Sequence, residues 1–112
     1  MDTGRLKTRL FVQALIRRCE AEQKSAFLLK RGDADSGTVC LKLNGLGRGF
    51  MVLTPVRDAT GAAAWMRVTG PDPVEEPAAD ACLESQKRMD RDLWILEIET
   101  PDLSAPLEDP IL

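Results

Sequence analysis

The side chains best suited to chemistry in this sequence are carboxylates near its end. Asp90 and Asp92 flank a single arginine, and Glu97 and Glu99 follow on a predicted strand. A group of this kind can bind Mg²⁺, or act as an acid and a base where burial or proximity separates the pKa values. A solvated loop followed by the outward positions of a strand explains the same residues more simply, and we favour that interpretation.

Histidine, the commonest general base near neutral pH, is absent from the sequence. Its absence excludes Ser-His-Asp and Cys-His nucleophile activation and every metal site built on histidine. The cysteines Cys19, Cys40 and Cys82 are odd in number and widely spaced, so neither a disulfide framework nor a Cys-x-x-Cys pair is indicated. We therefore predict no cofactor and no metal, and favour a protein that is not an enzyme.

Two further segments look like ligand-binding loops but lack the residues that complete them. Residues 45–49 are glycine-rich like a phosphate loop, but no Gly-Lys-Ser/Thr ending follows and both neighbours are predicted strands. Asp33 and Asp35 are spaced as at the start of a calcium loop, whose twelfth position should be a bidentate Glu but is Asn44 here. Both segments are predicted to be turns.

The elements that would position these residues are predicted from the spacing of apolar side chains. Apolar residues recur at helical spacing from Thr8 to Cys19, and a second helix should begin by Pro77 and run to about Arg88. Strands are predicted at 26–31, 38–44, 50–57, 62–69 and 93–99.

This order of elements predicts an α+β fold with two helices packed on one face of a five-stranded, mainly antiparallel sheet. Four strands joined by hairpins alternate in direction, and the second helix returns the chain across the sheet. The fifth strand should then lie antiparallel beside the first, which gives the strand order 5-1-2-3-4.

The chain length of 112 residues suits one domain, which we place at residues 1–99. Residues 100–112 form a proline-rich acidic tail that we expect to be flexible. Its leucines and Ile111 allow a short docking motif, but packing on the protein's own surface or disorder is favoured. The apolar run 10–16 is too short to span a bilayer and no cleavage site follows it, so we expect a cytoplasmic protein that does not enter a membrane.

One candidate binding surface is the side of the sheet that the helices would leave open. If Ala64 and Met66 face the helices, strand geometry puts Trp65 and Arg67 on the opposite face. Leu28, Cys40 and Ile95 should join them and complete an apolar patch with a charged rim. A register error of one residue would instead make Trp65 part of the core.

The second candidate surface is basic. The net charge is −3, yet residues 1–31 carry eight Lys/Arg and only three Asp/Glu. Attraction between the two ends of the chain explains this asymmetry without any ligand. The alternative is an anion-binding or nucleic-acid-binding patch on the first helix, made of Arg5, Lys7, Arg9, Arg17 and Arg18.

Four segments of the sequence also resemble a small family found mainly in alphaproteobacteria and known as domain of unknown function 1491. They are ALIRR at 14–18, KRGDADSG at 30–37, GPDPV at 70–74 and, most distinctively, DLWILEIE at 92–99. The resemblance spans about residues 5–99 and implies no activity and no catalytic residue. The chain departs from the family pattern at Met89, where relatives often carry an aromatic residue, and at Arg91, where they often carry a proline.

The leading functional hypothesis is therefore a non-enzymatic module that binds a protein partner or a second copy of itself through the open sheet face. Anion or nucleic-acid binding by the first helix is the alternative. A carboxylate-dependent enzyme that uses Asp90 and Asp92 is a third hypothesis with little support.

Overall fold

Five strands and two helices build the fold of residues 7–112, the part of the chain that this computed structural model describes. All seven predicted elements are present, and the α+β class is confirmed. Their bounds are α1 Thr8–Ala21, β1 Ala26–Lys30, β2 Val39–Asn44, β3 Phe50–Arg57, β4 Ala63–Arg67, α2 Glu76–Met89 and β5 Trp94–Glu99.

The last strand lies inside the sheet, whose order is β1-β5-β2-β3-β4. β5 is antiparallel to β1, as predicted, and parallel to β2, while the other pairs are antiparallel. The predicted order 5-1-2-3-4 is therefore wrong, because β5 separates β1 from β2. Four of the six β5 residues in the sequence WILEIE are apolar, and they lie on both faces of the strand; such a strand is stabilised at the centre of a sheet.

The two helices lie on opposite faces of the sheet. Val12 and Leu15 of α1 pack with Leu41 of β2, whereas Leu83 of α2 packs with Cys40. Because consecutive strand residues point to opposite faces, α1 and α2 cannot share a side. The prediction of both helices on one face is wrong, since the central strands carry apolar residues at almost every position and need cover on both sides.

Residues 103–112, which we call the C-terminal segment, pack along the α1 face of the sheet. Leu107 and Ile111 contact the core there. The Trp65 NH donates to the Pro110 carbonyl oxygen and the Leu112 NH donates to the Trp65 carbonyl oxygen, both at 2.8 Å. In this structure the segment packs on the protein's own surface. The segment covers the outer edge of β4.

The turn between β1 and β2 packs against the start of β5. The Trp94 indole NH donates to the Asp33 carbonyl oxygen at 2.7 Å, and the Asp33 NH donates to the Asp92 carbonyl oxygen at 3.0 Å. Gly32 and Gly37 approach so closely that a Cβ atom would lie 2.0 and 2.1 Å from that same Asp92 oxygen. Only glycine fits at either position, because the neighbouring atom belongs to the backbone of the turn that leads into β5.

We predict that Gly37→Ala lowers the free energy of unfolding by about 3 kcal/mol, since the added methyl group must displace the backbone at Asp92. Urea denaturation followed by circular dichroism measures this change. Asp35→Ala, an exposed substitution in the same turn, is the control and should change stability by less than about 0.5 kcal/mol. Equal stability of the two variants would show that the close approach at Gly37 is absent.

Candidate functional site

The predicted surface around Trp65 does not exist as an exposed patch. The Trp65 side chain is only 5% exposed and its ring stacks on Phe11 of α1, with centroids 6.2 Å apart. Cys40 and Ile95 are buried on the opposite face, beneath α2. Trp65 belongs to the core although its position on β4 alternates with Ala64 and Met66 as predicted, because the C-terminal segment and α1 both cover its face of the sheet.

The other two residues of that predicted surface lie at opposite edges of the sheet. The Arg67 guanidinium donates to the Leu112 main-chain oxygen at 2.7 Å and so holds the C-terminal segment. Leu28, on β1, is 44% exposed. The structure therefore does not bring the five predicted residues together.

The basic residues of the first helix do not form one patch. Arg5 lies outside the described residues. Lys7 pairs with Asp35 at 3.5 Å, and Arg18 pairs with Glu108 of the C-terminal segment. Arg9 and Arg17 are exposed. Successive helix residues point about 100° apart, so Arg17 leaves the helix in a different direction from Arg18, whose guanidinium is already paired with Glu108.

Lys42 on β2 is the most deeply buried charged side chain of the described part of the chain, and its side chain is only 5% exposed. Its ammonium donates to the Glu76 carboxylate at 2.7 Å and to the Asp80 carboxylate at 2.8 Å. Glu97 of β5 lies 3.6 Å away. Glu76 and Asp80 are one turn apart on α2, so Lys42 fastens this helix to the central strands.

The environment of Lys42 keeps its amine protonated. Desolvation by burial lowers the pKa, but hydrogen bonds to Asp80 and Glu76 and the charges of Asp80 and Glu97 outweigh it, so the pKa lies above its ordinary value. A protonated amine is not a nucleophile. Lys42 and its carboxylates, which we call the Lys42 cluster, therefore act as a structural ion-pair network.

The carboxylates singled out in the sequence are engaged in local structure. Glu97 belongs to the Lys42 cluster and also accepts a hydrogen bond from the Asn44 amide at 3.1 Å. Asp90 accepts the Asp92 NH at 2.9 Å and so closes the turn before β5. Among residues 7–112, no group of three or more His, Cys, Asp or Glu side chains is placed to hold a metal ion.

The cysteine thiols are poorly suited to nucleophilic chemistry. Burial raises the pKa of Cys19 and Cys82, and it raises the pKa of Cys40 to about 11. The thiolate is the reactive form of cysteine, and a raised pKa keeps it scarce at neutral pH. All three residues are free cysteines that pack within the two cores.

The outer edge of β1 is the surface that sequence reasoning missed. Phe27, Leu28 and Leu29 are consecutive apolar residues that are 48%, 44% and 51% exposed. Among residues 7–112, no strand pairs with β1 on its outer side. The sequence contained one signal of an edge: an apolar run followed by a connection at 31–38 that is too long for a tight hairpin.

The main chain of β1 also presents free hydrogen-bonding groups. The Glu99 NH donates to the Ser25 carbonyl oxygen at 2.9 Å, and Phe27 lies opposite Glu97. In an antiparallel pair, residues that exchange both hydrogen bonds alternate with residues that exchange none. Ala26 and Leu28 therefore direct their NH and carbonyl groups away from β5. A bulge follows at Leu29, where the register with β5 shifts.

Comparison with known proteins places this fold in a family. Residues 6–108 match the family model described as protein of unknown function (DUF1491). The chain belongs to this family. A search of curated proteins found no match to the chain.

Solved structures of DUF1491 proteins share the fold over nearly the whole chain. A crystal structure of a DUF1491 family protein from Caulobacter crescentus CB15 is 31% identical, with a TM-score of 0.85 over 96% of this chain and 100% of that one. An NMR structure of a DUF1491 family protein from the same organism is 32% identical, with a TM-score of 0.82 over 96% of each chain.

A third neighbour is the solution structure of protein Atu0922 from A. tumefaciens, which is 28% identical with a TM-score of 0.72 over 94% of this chain and 96% of that one. These similarities confirm the family that the four sequence segments indicated. No helix in the described part of the chain is long and apolar enough to cross a membrane.

We predict that Lys42→Met lowers the free energy of unfolding by about 2–3 kcal/mol, because Glu97 would be left half-buried beside two other carboxylates without a cation. Urea denaturation measures this change. Lys87→Met is the matched control: Lys87 pairs with Glu84 on the surface of α2, and its removal should change stability by less than about 0.5 kcal/mol. Similar losses in both variants would contradict the structural role of Lys42.

We also predict that the contribution of the Lys42 cluster to stability depends on pH in the alkaline range. Because the pKa of Lys42 is raised on folding, its contribution to stability is complete below its unfolded value of 10.5 and is lost as pH rises through the higher folded value. Denaturation curves of the native protein and Lys42→Met should therefore converge above about pH 10.5. A constant stability difference from pH 8 to pH 12 would contradict this.

Proposed function

We propose that this DUF1491 protein is a non-enzymatic protein-binding module that takes up an extended apolar segment of a partner protein along the outer edge of β1. The observation that carries the proposal is the run of exposed apolar side chains Phe27, Leu28 and Leu29 on an edge strand. Exposed apolar edges invite strand pairing, and soluble proteins usually protect them unless they are used.

The outward main-chain groups of Ala26 and Leu28 support this mode of binding. A partner strand placed beside β1 would exchange hydrogen bonds with these two residues and extend the sheet by one strand. Its side chains would meet Leu28 on the α1 face and Phe27 on the α2 face, so apolar residues at consecutive partner positions would be favoured.

The size of the surface favours a segment over a folded copy of the same chain. Three half-exposed side chains offer much less than the roughly 800 Å² per partner that a stable folded interface buries. An extended segment compensates by forming main-chain hydrogen bonds along its length. The opposite edge of this sheet already takes up such a segment, since the chain's own C-terminal segment pairs with Trp65 of β4.

The side chains that could carry out catalysis are held in unreactive states, which favours binding over catalysis as the function. The Lys42 amine is protonated and ion-paired, the thiols are held protonated, and Asp90 is engaged in a turn. Anion binding by the first helix has less support than binding at β1, because Lys7 and Arg18 are already paired with acidic side chains.

We predict that ten-residue peptides selected against the full chain from a random displayed library are apolar and bind at β1. Leu28→Pro should weaken a selected peptide about tenfold, because proline removes both an outward NH and the leucine side chain without breaking a β1–β5 hydrogen bond. Leu28→Ala, which keeps the NH, should weaken binding less. Fluorescence anisotropy of the labelled peptide measures all three affinities.

Met66→Ala is the control, since Met66 is 43% exposed but lies on β4, at the opposite edge of the sheet from β1. Its affinity for the peptide should equal that of the native protein. Peptides that bind the native protein and Leu28→Pro equally well would refute a main-chain interaction at β1. A concentration-dependent dimer that Leu28→Pro disrupts would instead identify a second copy of the chain as the occupant.

A further inference from the structure

The C-terminal segment lies in a groove between α1 and β4 that is shaped for an extended chain. Its side chains Leu107 and Ile111 are the apolar anchors, and Pro110 and Leu112 pair through their main chains with Trp65. A cavity of about 110 Å³ remains under the segment, between α1 and Trp65. The segment thus contacts the groove as a bound peptide would, through apolar anchors and main-chain hydrogen bonds.

The groove and the C-terminal segment are also complementary in charge. The groove supplies the cations and the segment supplies the acceptors. Arg18 pairs with the Glu108 carboxylate and donates to the Pro106 carbonyl oxygen at 3.4 Å, Arg67 donates to the Leu112 main-chain oxygen, and Lys24 donates to the Ser104 hydroxyl at 3.2 Å. None of these contacts requires that segment and groove belong to the same copy of the chain.

The turn that connects the segment to the domain is strained. Leu103 has φ of +57°, a left-handed conformation that residues with a Cβ rarely adopt. Asp102 holds the turn by accepting hydrogen bonds from the Ser104 hydroxyl at 2.7 Å and the Thr100 hydroxyl at 2.8 Å. These hydrogen bonds lower the pKa of Asp102 to about 2, so its carboxylate is ionised at neutral pH.

We propose that the groove also accepts the 104–112 segment of a second copy of this chain, so that two copies exchange segments reciprocally. The exchanged form keeps every groove contact and lets Leu103 adopt an extended conformation, which removes the strain at both turns. Pro106 and Pro110 favour an extended free segment and so reduce the entropy lost on binding. This inference does not depend on the β1 edge.

Association of two copies loses translational and rotational freedom, which opposes the exchange. The monomer is therefore the main species at low concentration, and the exchanged dimer grows as the concentration rises. Leu103 controls the balance, because the exchanged form must open its turn: Leu103 leaves its positive φ, and the Ser104 hydroxyl gives up its hydrogen bond to Asp102.

The test compares Leu103→Pro with Leu103→Gly in the full chain by light scattering after size exclusion over a range of concentrations. Both substitutions remove the same side-chain packing. Proline is fixed near φ of about −65° and cannot close the turn, whereas glycine adopts positive φ freely. We expect the dimerisation constant of Leu103→Pro to exceed that of Leu103→Gly at least tenfold. Equal constants, or a monomer in both variants at every concentration, would overturn the proposal.

Two further variants identify the surface that forms the dimer. Adding Ile111→Asp to Leu103→Pro should return the protein to a monomer, because the main apolar anchor is lost. Adding Leu28→Pro instead should leave the dimer intact. A dimer that survives Ile111→Asp, or that Leu28→Pro abolishes, would overturn segment exchange.

A peptide experiment keeps the proposal testable if Leu103→Pro does not fold. In the full chain carrying Ile111→Asp, the chain's own segment loses one of its two apolar anchors and so competes less for the groove, and a labelled synthetic peptide of residues 104–112 should then bind it, as measured by fluorescence anisotropy. The same peptide carrying Ile111→Asp is the control and should bind at least tenfold more weakly. Equal binding of the two peptides, or none by either, would overturn the proposal.

Discussion

The insertion of β5 between β1 and β2 is the constraint on which the rest of the structure depends. β5 forms parallel hydrogen bonds with β2 and antiparallel ones with β1, and both of its faces are therefore buried. A strand of this kind needs cover on both sides. α1 and the C-terminal segment supply it on one face, and α2 supplies it on the other. The same insertion leaves β1 at the edge, with its apolar side chains exposed.

The polar residues of the central strands show how this burial is tolerated. Lys42 and Glu97 are neighbours across the parallel β2–β5 pair, and both point toward α2. A lone buried charge would be strongly destabilising, but Glu76 and Asp80 complete its hydrogen bonding. The Lys42 cluster thus ties α2 to the central strands of the sheet.

Sequence reasoning recovered what depends on local pattern. The seven elements follow from apolar periodicity and from turn residues, which act over a few positions. Strand order and helix placement depend on contacts between distant residues, and several arrangements satisfy the same periodicity. Trp65 illustrates the limit: alternation along β4 showed that it lies opposite Ala64 and Met66, but could not show that both faces of the sheet are covered.

The two most distinctive family segments are explained by packing. The turn KRGDADSG and the strand DLWILEIE lie far apart in sequence, yet Gly32 and Gly37 rest against the Asp92 oxygen, and Trp94 donates to Asp33. From the sequence alone, the carboxylates of each segment could be taken for a ligand-binding site. In the structure the two segments pack against each other, and this contact holds β5 beside β1, which leaves β1 at the edge of the sheet.

Amide hydrogen exchange along β1, measured residue by residue by NMR, tests the central claim that this strand is an open edge. If only its inner side is paired, the Phe27 NH is protected by β5, while the Ala26 and Leu28 NH groups exchange at least about tenfold faster. A bound peptide should then slow Ala26 and Leu28 selectively. Equal and strong protection of all three amides in the free protein would contradict an open edge at β1.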